Sequence, residues 1–160
     1  MTAYEAYIKA TSARKRLPES ELDIIQSASA YHAYLYARDV IEGRWLEAES
    51  LIIHSAYDAC FYARDVIQGR WYEAETNIAQ DAYSACCYSI DVIKDRWTEA
   101  ESTIAKSNWK THYIKEFFDE PVITKDEVDI IQWGRKNISG YYAPASLFKD
   151  QVSLLDMVME

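Results

Sequence analysis

Glycine is scarce in this chain, and its four residues, Gly43, Gly69, Gly134 and Gly140, stand isolated. No glycine-rich loop is therefore available to cradle a phosphate. Cysteine is equally rare. Cys60, Cys86 and Cys87 form no C-x-x-C pair, and His32, His54 and His112 share no ligand spacing with them or with one another. That pattern excludes a zinc site of the usual kind, and no metal or cofactor is expected. The thiols read as small core or flank residues in a reducing compartment. No apolar run approaches the ~20 residues that a membrane-spanning helix needs, and no signal peptide opens the chain. A cytoplasmic location is the expectation. Basic residues are in deficit, with 17 Lys and Arg against 26 Asp and Glu, a formal net charge of −9. Direct binding to nucleic-acid phosphates is thereby disfavoured, whereas a basic protein partner is not.

What the chain has in excess is aromatic side chains, with 13 Tyr and 5 Trp in 160 residues, and a strict internal period. Residues from Ala30 recur from Ala56 and again from Ala82, 26 residues apart. Ala30, Tyr31, Ala33, Tyr36, Asp39, Val40, Ile41, Arg44, Trp45, Glu47, Ala48, Glu49 and Ile52 are identical in all three copies. A fixed period in this range signals supersecondary units that bury their apolar faces against one another. The 49% apolar content is enough for a real core.

Each unit reads as two helices. Ser29, Ser55 and Asp81 are N-cap residues, and a helix of about 13 residues should run from each to Ile41 or Glu42 and its equivalents. Gly43 and Gly69 stand where a left-handed C-cap is wanted, with Asp95 less suited to that role. A second helix spans about 46–53, with Glu47 and Glu49 in its first turn. On the first helix, Ala30, Ala33, Tyr36, Ala37, Val40 and Ile41 fall within an arc of about 140°. On the second, Trp45, Ala48 and Ile52 form one stripe. Trp45 should close the seam inside its own unit, and Arg44 should pair locally with the acids that follow. Short connections imply antiparallel neighbours, hence an all-α, short-period, right-handed solenoid of antiparallel helix pairs.

The wording Tyr-Ala-Arg-Asp-Val-Ile-x-Gly-Arg-Trp-x-Glu-Ala-Glu, at 36–49 and 62–75, resembles a short helical repeat of uncharacterised bacteriophage and bacterial proteins. The resemblance covers about 3–114 and implies no enzymatic activity. Its phage association implies a protein that acts on host machinery. The third copy departs from the pattern at Ser89-Ile90 and at Asp95.

A worn unit precedes the three good ones. Ala3-Tyr4-Glu5-Ala6 matches the opening of the repeat and Arg16-Leu17-Pro18-Glu19-Ser20-Glu21 matches Arg44–Glu49, but the two offsets differ by one residue. The array is thus expected over 1–118, as units 1–28, 29–54, 55–80 and 81–106 with a partial unit at 107–118. After it, Thr124 and Glu127 form a capping box. Helices are expected at about 124–136 and 145–158, the latter with Phe148, Val152, Leu155 and Met159 on one side. These C-terminal helices should cap the last repeat, or alternatively pair two chains into a dimer.

The function expected is non-enzymatic binding of another protein, in the form of a phage inhibitor of a host defence system such as an immune nuclease. Asp39, Asp65 and Asp91 make an acid ladder, but a carboxylate repeated in every unit satisfies neighbours rather than catalysing three times over. Opposite the alanine stripe lie Tyr31, Leu35 and Arg38, then Tyr57, Phe61 and Arg64, then Tyr83 and Ile90. Tyrosine is constant there while the other positions vary, and Tyr and Arg dominate interface hot spots. The competing reading packs these residues against a second layer. Two alternatives stand beside the binding module. One is an enzyme or ligand-binding protein with its site near Tyr141 and Tyr142. The other is an acidic nucleic-acid mimic using Glu47, Glu49, Glu73, Glu75, Glu99 and Glu101.

Overall fold

The computed structural model describes residues 1–117, and the regular elements among them are all helical. They are α1 (Ala3–Ala13), α2 (Pro18–Gln26), α3 (Ala30–Tyr36), α4 (Leu46–Ile52), α5 (Ala56–Tyr62), α6 (Tyr72–Ile78), α7 (Ala82–Tyr88), α8 (Thr98–Ala105) and α9 (Lys110–Phe117). The expected C-terminal helices, and the capping or pairing assigned to them, lie outside the described residues.

Local chemistry starts each unit as its sequence dictates. The side chains of Ser29, Ser55 and Asp81 accept the amides of His32, Asp58 and Ser84. Thr2 and Glu5 form a full capping box at α1, and Pro18 opens α2, where its missing N–H costs nothing.

The helix ends differ from expectation. Helices α3, α5 and α7 each run on into a π-helical turn, Ala37–Ile41, Ala63–Ile67 and Ser89–Ile93. The left-handed residue that closes each is Glu42, Gln68 or Lys94, with φ of 55°, 57° and 59°. Gly43, Gly69 and Asp95 come one position later, so the C-cap assigned to them belongs to the residue before. The π turn sets the length of the unit rather than the place of the cap. In the first unit α1 has no such turn and closes on left-handed Arg14, two residues before Arg16. In the next unit Glu42 likewise lies two residues before Arg44. Between Tyr4 and Arg16 the chain has one residue fewer than between Tyr31 and Arg44. The one-residue offset visible in the sequence is the residue that each later unit absorbs as a π turn.

The core repeats with the sequence. Ala33, Ala59 and Ala85 are fully buried, and so are Ala48, Ala74 and Ala100, which lets helix axes approach closely. Tyr36, Tyr62 and Tyr88 are buried against Trp45, Trp71 and Trp97 of their own units, ring centroids 5.0–5.2 Å apart. The expected tryptophan seam is present. Each of Ile24, Ile52, Ile78 and Ile104 adds a buried side chain worth about 1.5–3 kcal/mol.

Consecutive units are joined by one recurring polar knot. The Tyr62 hydroxyl accepts the Trp45 amide at 2.8 Å and donates to Glu49 at 3.0 Å. Glu49 in turn takes both Nε and Nη2 of Arg44, each at 2.7 Å. The same knot joins Tyr88 to Trp71, Glu75 and Arg70. In worn form it joins Tyr36 to Leu17, Glu21 and Arg16. Tyr113 completes it on Trp97, Glu101 and Arg96, so α9 takes the place of a fifth first helix.

Candidate interaction surface

A second polar seam accounts for the acid ladder. Tyr7 donates to Asp39 at 2.7 Å and Tyr34 to Asp65 at 2.6 Å, each bond running from one unit to the next. Arg38 and Arg64 grip Asp39 and Asp65 through paired nitrogens. At the third step Cys60 replaces the tyrosine, and the Arg64 guanidinium reaches Asp91 at 3.5 Å instead. Arg38 holds the Asp39 carboxyl below its ordinary range. For Asp65, burial alone would raise the pKa, but Arg64 and Tyr34 outweigh it and the net shift is downward. These aspartates are structural ties among ionised partners.

The eight sequence-selected residues do not share one environment. Tyr31 and Tyr57 are exposed, while Tyr83, Leu35, Phe61 and Ile90 are half-buried, the last three packed against the core. Arg38 lies over the Tyr34 ring and Arg64 over the Phe61 ring, at 5.2 and 4.3 Å from the centroids. Their ion pairs and ring contacts make them part of the seam as well as of the surface.

What the structure brings together is a row of rings. Tyr4, Tyr31, Tyr57 and Tyr83 occupy the second position of α1, α3, α5 and α7. Trp109 continues the row 26 residues after Tyr83. Tyr57 stacks on Tyr83 at 5.8 Å and 17°, and Tyr83 meets Trp109 at 4.7 Å. Tyr4 and Tyr31 both contact the His32 ring, at 6.2 and 5.3 Å. Exposure is 61% for Tyr4, 49% for Tyr31 and Tyr57, and 39% for Trp109. Tyr4 and Trp109 were not among the sequence-selected residues. Their signal was the spacing of 27 and 26 residues from the nearest ladder tyrosine.

The six carboxylates of the mimic reading divide into two groups. Glu49, Glu75 and Glu101 are consumed by the polar knots. Glu47, Glu73 and Glu99 remain exposed, one per unit. Only half of the supposed phosphate mimics are available to a partner.

One local cluster has the residue types of a nucleophilic site. Ser29 Oγ lies 2.7 Å from His32 Nδ1, and the buried Asp58 lies near the same imidazole. Each side chain, however, serves its own helix start: Ser29 accepts the His32 amide, and the Asp58 carboxyl is held by Ser55. Burial raises the Asp58 pKa, with Ser55 opposing. Burial likewise pushes the Cys60 thiol up to about 12 and Cys86 to about 11, which makes both poor nucleophiles. Among the described residues no group of His, Cys, Asp and Glu could hold a metal ion. Nor is any described helix long and apolar enough to cross a membrane. Tyr141 and Tyr142, named for an alternative site, lie outside the described residues.

No family model matches the chain, and no curated protein and no solved structure matches it either.

Proposed function

We propose that this chain is a non-enzymatic protein-binding module whose contact surface is the aromatic row Tyr4, Tyr31, Tyr57, Tyr83 and Trp109. On this reading the helix pairs are antiparallel and stack into a solenoid, which is what carries one ring per unit to a single edge. The supporting observation is that rings recur in register over five units, four of them exposed and Tyr83 half-buried, although the core already buries a separate set of tyrosines and tryptophans. Exposed aromatic residues of this kind anchor interfaces, because they offer large contact area at little entropic cost. The resemblance to phage repeats supplies the direction of the proposal: the partner is a host protein, such as an immune nuclease, inhibited by having its surface occupied.

The test is a double variant, Tyr31→Ser with Tyr57→Ser, compared with the parent chain in binding to a partner captured from host lysate. Loss of each ring should cost the complex roughly 2 kcal/mol, so affinity should fall by two orders of magnitude or more. The fold should survive, since exposed side chains contribute about 0.5 kcal/mol or less. Undiminished affinity would remove the row from the interface. The mimic reading makes a different demand, that binding collapse between low and high salt.

A further inference from the structure

The free charge of the repeats collects in one place. In units 29–54 and 55–80, each of net charge −2, the pairs Arg38–Asp39, Arg44–Glu49, Arg64–Asp65 and Arg70–Glu75 cancel. What is left is Glu42, Glu47, Asp58 and Glu73. Asp58 is buried at the start of α5. Glu42, Glu47 and Glu73 are exposed, and among the described residues they make no ion pair. Glu42 closes the first helix of its unit, while Glu47 and Glu73 are the second residues of α4 and α6. The unbalanced carboxylates thus stand at the junction of first and second helices, at the other end of the first helix from the aromatic row.

The most exposed large apolar side chains among the described residues stand at the same junction. Leu46 and Tyr72 open α4 and α6 and are 67% and 68% exposed. The same slot holds Pro18 in the unit before, also exposed, and Thr98 in the unit after. Consecutive slots are neighbours in space. Arg44, two residues before Leu46, feels the Glu73 carboxylate next to Tyr72, and Arg16 likewise feels Glu47. The polar knots hold that register, because Tyr62 and Tyr88 bind the amides of Trp45 and Trp71, each one residue before the slot. The fold itself does not require an apolar residue there, since α8 opens on Thr98. Arg70 lies 4.8 Å over the Tyr72 ring, so this ring takes a guanidinium while most of the residue stays open.

We propose that this edge is a docking site for an amphipathic, cationic helix of a partner protein. The helix would cover Leu46 and Tyr72 with its apolar stripe and set Lys or Arg side chains against Glu42, Glu47 and Glu73. Charge selects this occupant. A second copy of the chain, at net −9, brings like charge to the edge. A groove built for phosphates answers the carboxylates but has no use for Leu46 and Tyr72, because it meets its ligand through polar and cationic donors. A helix with an apolar stripe flanked by basic residues answers both. The proposal is independent of the aromatic row as a binding surface.

Calorimetric titration of the full chain with three synthetic helices tests it. One carries a Leu stripe flanked by Lys, the second has Ala in place of Leu, and the third has Glu in place of Lys. At about 0.15 M salt, where exposed charges act over only ~8 Å, the Lys and Leu helix should bind at least about tenfold more tightly than either control. Leu46→Thr with Tyr72→Thr repeats the residue at Thr98 and leaves the charge unchanged. It should raise the dissociation constant at least about tenfold, with helical circular dichroism intact, because both side chains are exposed. Glu47→Gln with Glu73→Gln should also weaken binding and flatten its salt dependence. Tyr31→Ser with Tyr57→Ser should leave peptide affinity unchanged, so the fate of this edge and that of the aromatic row are read separately. Equal affinity for the Leu and Ala helices overturns the proposal. So does parental affinity in the Leu46 and Tyr72 variant, or loss of peptide binding in the Tyr31 and Tyr57 variant instead.

Discussion

Tyr62 shows how much one side chain carries in this protein. Its ring packs on Trp71 within its unit, and its hydroxyl accepts the Trp45 amide and donates to Glu49 in the unit before. Phenylalanine would keep the ring and lose both bonds. The Trp45 amide would then be buried without a partner, and Glu49 would keep only Arg44. Hydrogen bonds to charged groups are worth about 1.5–3 kcal/mol, and an orphaned buried donor costs a similar amount. Tyr62→Phe should therefore lower unfolding free energy by about 2–3 kcal/mol in chemical denaturation. A loss below about 0.5 kcal/mol would mean that water replaces the hydroxyl and that the knot is incidental. Half of this logic was legible in the sequence. The invariance of Tyr36, Arg44, Trp45 and Glu49 marked them as a set, and the Arg–Glu pairing followed from their proximity. That the tyrosine comes from the following unit was not legible, because sequence separation says nothing about which unit a buried hydroxyl enters.

At the scale of the helix, the informative error concerns glycine. Gly43 and Gly69 look like left-handed C-caps because glycine is the usual residue there. The chain instead spends one extra residue on a π turn, and Glu42, Gln68 and Lys94 adopt the left-handed conformation. The signal was in the sequence as the one-residue disagreement between two offsets, but a length difference does not say whether it enters a loop or a helix. Tertiary ties decided it: the polar knot fixes Arg44 and Trp45, the alanine stripe fixes Ala33 and Ala37, and the surplus must be taken up between them. A sharp test contrasts neighbours. A left-handed residue with a β-carbon costs about 1–2 kcal/mol, offset in part by the flexibility of glycine in the unfolded chain. Gln68→Gly should therefore stabilise the protein by about 0.5–1 kcal/mol. Gly69→Ala meets nothing within 4 Å and has no positive φ, so it should be neutral or gain a few tenths of a kcal/mol. If the alanine variant is the destabilised one, the left-handed residue is the glycine after all.

Across the whole molecule, the two polar seams make the fold a function of proton occupancy at both ends of the pH scale. On the acid side, Arg44 and then Tyr62 hold Glu49 below its ordinary range, and Arg38 with Tyr7 does the same for Asp39. A depressed carboxyl contributes stability that is present above its unfolded pKa and is lost as pH falls through the folded value. Asp58 works the other way, since burial raises its pKa and protonation relieves a cost. It is one residue against Glu49, Asp39 and Asp65. On the alkaline side, burial and then the Asp39 and Asp65 carboxylates push Tyr7 and Tyr34 up to about 12. Burial, opposed by the Trp97 amide, brings Tyr113 to about 12 as well. A raised phenol contributes stability that is full below its unfolded pKa of about 10 and disappears as pH rises towards 12. The melting temperature should therefore hold a plateau through neutral pH and fall steeply in two windows, below the carboxylate range and between about pH 10 and 12. In the alkaline window, part of the phenolate absorbance near 295 nm should rise together with the loss of helix, because the hydroxyls of Tyr7, Tyr34 and Tyr113 join the units. Tyrosines that all titrated near 10 while the helical signal persisted would show that these hydroxyls face water, and that the units are held together by their apolar contacts alone.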